Sequence, residues 1–267
     1  MCQLLRTGLP VVIMIWMLSR ASCPGAASLA AAGTDYEEPK NLVGNIFAPG
    51  PGPRKLLFKS QRTATRTGTT VKVVCEYTYP DSSLAARDRI VYEAGRLASF
   101  ETEEFQTVEK GSAAIRPDPK NPGKRRIFFE YTRGRGNNAK NNSDSESQSL
   151  ENETLVDDMI PSFITFHWDA LMKGQATRFR YIALSRNETV GFKLVKDSES
   201  IREGKAVVRI RMEPTSFIIA KLVDPLFFVV EKGGSHRILE YIGRTTPMIK
   251  NGNAWKDLDA VTVFEWK

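Results

Sequence analysis

Hydrophobic and polar residues alternate with a period of two along much of this chain from residue 71 onward. In Val71–Tyr79, for example, Val73, Cys75 and Tyr77 fall on one side and mostly polar residues on the other. Such alternation is typical of β-strands that bury one face. Turn-forming runs rich in Gly, Pro, Asn and Asp separate the segments, which predicts meanders of antiparallel strands. Further alternating segments are Arg126–Tyr131, Arg178–Tyr181, Val208–Met212 and Ala260–Trp266.

One segment, Leu155–Lys173, has a helical period instead. Its apolar stripe recurs every three or four residues, at Val156, Ile160, Phe163, His167 and Leu171. Asp157 and Asp158 lie near the expected helix start, where the helix dipole favours negative charge. Pro161 leaves two alternatives open: the helix begins there, with proline in its first turn, or an earlier turn is kinked.

Together these patterns predict a mainly β protein: a curved antiparallel sheet, half-barrel or open barrel-like, with one principal helix packed on it. Residues 55–267 are expected to form a single β-rich domain with two meander halves, 55–134 and 153–267. A Pro- and Gly-rich stretch, 33–54, predicts a flexible linker before this domain. The Asn-, Ser- and Gly-rich residues 135–152 predict an exposed loop that joins the two halves.

The first 32 residues predict a signal peptide. Arg6 precedes a ten-residue apolar run, Leu9–Leu18, and small residues follow up to Ala32. The run is shorter than the roughly 20 residues that span a bilayer, so we expect cleavage and no transmembrane span afterwards. Cleavage after Ala32 fits the small-residue rule; cleavage after Ser28 and a lipid anchor on Cys23 stay open. The mature protein is therefore expected in the periplasm or outside the cell, with association to an outer envelope left open.

Charge and cysteine content narrow the partners. The chain has 38 Lys and Arg against 31 Asp and Glu, a net charge of +7 that falls to +5 without Arg6 and Arg20. A moderately basic surface favours anionic partners such as lipid headgroups or acidic glycans. No nucleic-acid motif accompanies it, so no nucleic-acid partner is predicted. After cleavage only Cys75 remains, which excludes an internal disulfide.

From Phe163 onward the chain resembles a group of uncharacterised bacterial secreted or periplasmic proteins, defined by a domain of unknown function. The resemblance is carried by the segments His167–Leu171, Arg178–Tyr181, Phe192–Leu194, Arg211–Ser216, Val223–Pro225 and Leu239–Thr245. The resemblance implies that the fold is a curved antiparallel sheet, similar to that of lipoprotein-carrier-like β half-barrels. It implies no catalytic residue.

Motifs for catalysis and for metal binding are missing from the sequence. The two histidines, His167 and His236, are far apart, and no closed His or Cys spacing suits zinc. There is no nucleophile elbow, phosphate-binding Gly loop or dinucleotide fingerprint. We therefore predict no metal, no cofactor and no catalytic residue. An envelope lipid or glycan hydrolase is only the third interpretation.

The candidate ligand-binding residues lie on the C-terminal strands. Basic residues occupy their polar positions, at Arg178, Arg180, Lys193, Arg209 and Arg211. They predict an anion site, or alternatively a solvated outer face interleaved with acids. The apolar positions are Phe179, Tyr181, Phe192, Ile210, Met212, Phe227, Phe228, Phe264 and Trp266, with Trp168 on the helix. They fill a core or line a cavity for an acyl chain.

These observations favour an exported, non-catalytic protein that binds or carries an amphiphilic, anionic envelope component such as a lipid. The alternative is an adaptor or structural protein that binds another envelope protein through its sheet edge or basic face. The two hypotheses differ in what the apolar strand positions do. The carrier needs an internal cavity between them, whereas the adaptor needs only a packed core.

Overall fold

The structure is a computed structural model that describes residues 35–50, 53–134, 142–220 and 224–266. The predicted signal peptide, its cleavage site and Cys23 lie outside these residues. The described chain is mainly β, which confirms the predicted fold class.

Fifteen strands in the described residues form one sheet, and its centre is the pairing of the first strand with the last. The N-terminal half runs outward from β1 to β8 in chain order: β1 (Asn41–Phe47), β2 (Leu56–Thr67), β3 (Thr70–Thr78), β4 (Leu84–Glu93), β5 (Arg96–Glu104), β6 (Glu109–Pro117), β7 (Arg125–Arg133) and β8 (Asn142–Ser149). The C-terminal half runs outward from β15 to β9, against chain order: β15 (Ala254–Glu265), β14 (Ile238–Asn251), β13 (Leu226–Glu231), β12 (Lys205–Pro214), β11 (Glu188–Arg202), β10 (Thr177–Ala183) and β9 (Thr154–Leu155). Each half is therefore a meander, joined to the other through β1 and β15.

Neighbouring strands pair antiparallel along this sheet, except that the two-residue β9 pairs parallel with β10. At the centre, Val43 of β1 lies opposite Glu265 of β15, and Phe47 lies opposite Val261. The two halves belong to one continuous hydrogen-bonded sheet because of this pairing. A hairpin-by-hairpin meander needs only short connections, which the turn-rich segments of the sequence supply.

Side-chain hydrogen bonds bring distant parts of the curved sheet together. The Gln106 side chain, in the turn after β5, donates to the Met248 carbonyl at 2.9 Å and accepts from the Met248 N–H at 2.7 Å. Near the outer strands, the Gln148 amide of β8 donates to the Thr189 hydroxyl of β11 at 2.7 Å. The sheet order still ends at β8 and β9, so the sheet is open and barrel-like.

The principal helical segment is broken, which corrects the prediction of a continuous helix. It comprises a 3₁₀ turn (Asp157–Met159), α1 (Ile160–Phe166) and α2 (Trp168–Met172). His167 separates the two helices with φ −98° and ψ 15°, and its ring packs 4.4 Å from that of Phe163. Elsewhere the chain has a 3₁₀ turn (Leu184–Arg186) and a short α3 (Phe217–Ala220).

Two hydrophobic cores lie on the concave side of the sheet. The larger core collects buried side chains from both halves around α1, where Phe163 and Ile164 are fully buried. The smaller core is formed by Ile46, Phe58, Ala85, Leu258 and Ala260 of the central strands. The helix therefore packs in the interior of the curved sheet, at the larger core.

Two predicted irregular segments contain strands. The linker prediction for residues 33–54 is corrected by β1, whose Ile46 is buried, and by the buried Tyr36. The loop prediction for residues 135–152 is corrected by β8, since Ser143–Ser147 is an exposed edge strand; residues 135–141 lie outside the described residues. An edge strand that is polar on both faces has no period-two apolar pattern, so the sequence does not reveal it.

A buried ion pair joins the N-terminal half to the turn before α1. The Arg62 Nε of β2 donates to Asp158 Oδ1 at 2.6 Å, and Nη2 donates to Oδ2 at 3.2 Å. The same guanidinium donates to the Tyr36 carbonyl at 2.5 Å and to the Pro39 carbonyl. Tyr92 of β4 donates to Asp158 Oδ2 at 2.8 Å. The ion pair therefore connects three chain segments: β2, the segment before β1 and the turn before α1. All these groups are buried or nearly so.

We predict that Arg62→Met destabilises the fold by about 3–5 kcal/mol, because it leaves the Asp158 carboxylate buried without its counter-ion. The matched control is Arg66→Met on the same strand, since Arg66 pairs with Asp35 and Glu37 at the surface. The control should leave the free energy of unfolding nearly unchanged. Urea unfolding at constant pH measures both. Equal effects of the two substitutions would contradict the structural role of Arg62.

Candidate functional site

A cavity of about 210 Å³ lies on the concave side of the sheet, where the two cores meet. It is enclosed by β1–β5, β12–β15 and the turn before α1. Its apolar walls come from both cores and from both halves: Ile46, Ile90, Phe100, Met212, Phe228 and Phe264. The exposed lining residues, which mark its mouth, include Glu38, Asp157, Pro161 and Arg244.

A row of four side chains crosses the inner face of β2–β5, and three of them, Arg62, Cys75 and Asp88, line the cavity. In the sheet register, Arg62 of β2 lies opposite Cys75 of β3, which lies opposite Asp88 of β4 and then Thr102 of β5. Cross-strand partners in a sheet share a face, so these four side chains point to the same side. Burial raises the pKa of the Cys75 thiol well above its usual value, which keeps this side chain neutral. The row separates the apolar side chains of the larger core from those of the smaller core.

Asp88 is the buried carboxylate of this row. It accepts from the Thr102 hydroxyl at 2.7 Å, from the Tyr77 hydroxyl at 3.0 Å and from the Thr246 hydroxyl of β14 at 3.5 Å. Burial raises its pKa to about 7, and the charge of Asp157 adds to the rise, against the hydrogen bonds that stabilise the charged form. At neutral pH both the protonated and the ionised form of this side chain are therefore populated.

The two consecutive aspartates before α1 have different surroundings. Asp158 is taken up by Arg62 and Tyr92. Asp157 lines the cavity and is exposed at its mouth. The protein around Asp157 removes enough water to raise its pKa, while a hydrogen bond with Tyr181 opposes the rise. The sequence interpretation of both residues as helix-start acids therefore misses their separate roles.

The arginines of the predicted anion site lie outside the cavity lining. Arg209 pairs with Asp197 at 3.6 Å, and Arg211 pairs with Glu213 at 3.4 Å. Arg180 donates to Thr189 at 2.9 Å and lies 3.7 Å from a Glu151 carboxylate oxygen. Arg178 is exposed on β10. The arrangement matches the alternative of a solvated outer face in which acids accompany the basic residues.

The aromatic residues of the predicted site pack in or beside the larger core. Phe179 and Phe192 are buried there, and the Phe179 ring lies 5.2 Å from that of Phe163. Tyr181 packs against the same core. Trp168 stacks on the His236 ring at 3.8 Å. These four residues do not line the cavity. Four of the other predicted apolar residues do line it, namely Met212, Phe228, Phe264 and Trp266.

Sequence reasoning missed Asp88 and Arg62, although the chain carries a signal for each. In β4, Asp88 occupies an inward position between the buried residues Ala86 and Ile90. In β2, Arg62 alternates in the same way with Phe58 and Ala64. A charged residue at an inward strand position must find a partner, so such positions are candidates for a buried ion pair or a site.

The described residues, 35–50, 53–134, 142–220 and 224–266, contain neither a cluster of metal ligands nor a membrane-spanning helix. There, no group of three or more His, Cys, Asp or Glu side chains is placed to hold a metal ion. Within the same ranges, no helix has the length and apolar character needed to cross a membrane. The side chains that line the cavity supply carboxylates, hydroxyls, guanidinium groups and apolar walls.

We predict that the protein loses stability as pH rises through about 7, because the folded-state pKa of Asp88 lies above the ordinary value of 3.8 for an aspartate. The folded state then binds the proton more tightly than the unfolded state, and this contribution is complete below about pH 4. Asp88→Asn should remove about 2–3 kcal/mol of the difference in unfolding free energy between pH 5 and pH 8.

Urea unfolding of both proteins at the two pH values checks this. Asp81→Asn is the control, because Ser83 lowers the pKa of that surface carboxylate. An unchanged pH dependence in Asp88→Asn would contradict the assignment.

Comparison with known proteins supplies no family. No protein-family model matches the chain, and no curated protein matches it. Among solved structures, the chain is similar to a β-barrel-like protein of domain of unknown function DUF1849 from Brucella abortus. The two share 8% identity at a TM-score of 0.36, over 84% of this chain and 94% of the other.

Proposed function

We propose that this chain is an exported, non-catalytic protein that binds an amphiphile, with the apolar part of the ligand in the cavity. The observation that carries the proposal is the unfilled space between the two cores. Protein interiors are normally close-packed, so an apolar cavity of this size marks a binding site more readily than a packing defect. Export, and an envelope component as the ligand, rest on the signal-peptide pattern of the sequence.

The cavity is large enough for the apolar tail of a ligand but too small for a bulky ligand as a whole. Small-molecule pockets typically measure about 300–1,000 Å³. The cavity, at about 210 Å³, is smaller and suits a single acyl chain. Burial of each CH₂ group should contribute about 0.8 kcal/mol at best. Affinity should therefore rise with chain length until the cavity is full and level off afterwards.

The mouth of the cavity fits the polar end of an amphiphile. Glu38, Asp157 and Arg244 are exposed there, while Phe228 and Ile46 are buried in its wall. A ligand with its tail among the buried residues would keep its head in contact with water and with these charged groups. Such a division of polar and apolar contacts is the usual arrangement of a ligand site.

Protein binding at the edge of the sheet is the second candidate function. β8 ends the sheet order, and Ser143–Ser147 is exposed along it. An edge strand offers backbone donors and acceptors to a strand of a partner. Native mass spectrometry of freshly purified protein separates the candidates, since a co-purifying lipid supports the first and a bound protein supports the second.

We predict that neutral alkanols bind more tightly as the chain grows from hexanol to dodecanol. Neutral probes test the apolar cavity without any contribution from the head charge. Ser162→Trp should abolish this binding, because Ser162 of α1 lines the cavity and the indole would occupy it. Thr165→Trp, on the exposed side of the same helix, is the matched control and should bind as the unmodified protein does.

Isothermal titration calorimetry measures these affinities, and thermal unfolding verifies that both variants are folded. Binding that is independent of chain length would contradict the proposal. So would equal binding by the two tryptophan variants. Absence of alkanol binding at every length would favour the edge of β8 as the functional surface.

A further inference from the structure

The charged groups that line the cavity are mostly acidic. Four carboxylates are present, at Glu38, Asp88, Asp157 and Asp158, against the two guanidinium groups of Arg62 and Arg244. This balance is opposite to the basic net charge of the whole chain. The charge that surrounds a bound head group is therefore set by these side chains and not by the net charge of the chain.

Both guanidinium groups already have carboxylate partners. Arg62 forms a two-point ion pair with Asp158 and also donates to main-chain carbonyls. Arg244 donates to Asp259 Oδ1 at 2.9 Å and to Asp257. An anionic head group would have to displace one of these carboxylates. Among the described lining residues, no other arginine or lysine is available to it.

Asp157 is the carboxylate best placed to meet a ligand. Like Glu38, it combines exposure at the mouth with a position in the cavity lining; in addition, the protein around Asp157 removes enough water to raise its pKa. An ionised carboxylate offers about four acceptor positions. The hydrogen bond with Tyr181 uses one of them, and no arginine or lysine pairs with Asp157 within the described residues. The remaining acceptor positions can receive donors from a ligand.

We propose that the cavity selects an amphiphile whose head is a protonated amine, with Asp157 as the direct partner of the ammonium group and the alkyl tail between the two cores. This inference rests on the proposed function, since it specifies the ligand class of the same cavity. It reverses the anionic head group that the sequence favoured, because the arginines behind that expectation lie outside the cavity.

The electrostatics of the neighbouring residues support a cationic head. Burial and the charge of Asp157 both raise the pKa of Asp88. The same Asp157 charge adds to the raised pKa of Tyr241, which is partly buried. Burial is the main reason that these groups resist ionisation, and the charge of Asp157, which no arginine or lysine of the described residues pairs with, adds to it. An ammonium ion beside Asp157 would relieve that repulsion, and partial exclusion of water would strengthen its attraction to the carboxylate.

The test compares dodecylamine, dodecanol and dodecanoate, which share one tail and differ in the charge of the head. Calorimetry is carried out in mildly alkaline buffer, which ionises the carboxylates. The amine stays protonated there because its pKa is close to that of lysine, about 10.4. We expect the amine to bind about 10- to 100-fold more tightly than the alcohol, as a charge-assisted hydrogen bond allows, and the carboxylate to bind most weakly. Added salt should weaken amine binding and leave alcohol binding unchanged.

Asp157→Asn should reduce amine binding to the level of the alcohol and leave the alcohol unaffected. Asp169→Asn, at an exposed position of α2 outside the lining, is the matched control and should keep the amine preference. Retention of the preference in Asp157→Asn would overturn the role of Asp157. Equal binding of amine and alcohol, or a preference for dodecanoate, would overturn the inference while the cavity remains a binding site. Failure of all three probes to bind would overturn the proposed function as well.

Discussion

The arrangement of the interior depends on the buried ion pair between Arg62 and Asp158. A guanidinium and a carboxylate are expensive to remove from water, and such a pair is stable only where further hydrogen bonds satisfy both groups. Here the carbonyls of Tyr36 and Pro39 and the Tyr92 hydroxyl provide them. The pair thereby attaches the N-terminal segment and the turn before α1 to β2. Since Asp158 is held there, its neighbour Asp157 is left at the cavity.

The cavity follows from the placement of polar residues between two apolar regions. The row of Arg62, Cys75, Asp88 and Thr102 lies across the inner face of β2–β5. Apolar side chains pack on both sides of it, in the larger and the smaller core. Polar groups that must keep their hydrogen bonds cannot be covered by close-packed apolar side chains alone. The two cores therefore stay separate, and the space between them is available to a ligand with both polar and apolar parts.

The sequence predicts the fold class well because the fold is built from local hairpins, whose period-two pattern can be read along the chain. It fails for β1, which is surrounded by Pro and Gly, and for β8, which is polar on both faces. The site is less predictable for a different reason. Arg62 and Asp158 are 96 positions apart, and Asp88 meets Thr246 across 158 positions. Local patterns show that a charge points inward but not which distant residue it meets. The arginines of the outer face alternate regularly along their strands, and this local pattern is what led to the prediction of an anion site.

A crystal structure with bound ω-bromododecylamine would show whether the cavity holds the tail and Asp157 the head, because anomalous scattering locates the end of the tail independently of the rest of the ligand. We expect a bromine position among the apolar lining residues, such as Ile46 and Phe228, and an ammonium nitrogen within hydrogen-bond distance of Asp157. A bromine position on the outer face beside Arg180 or Arg209, with the cavity empty, would contradict this expectation.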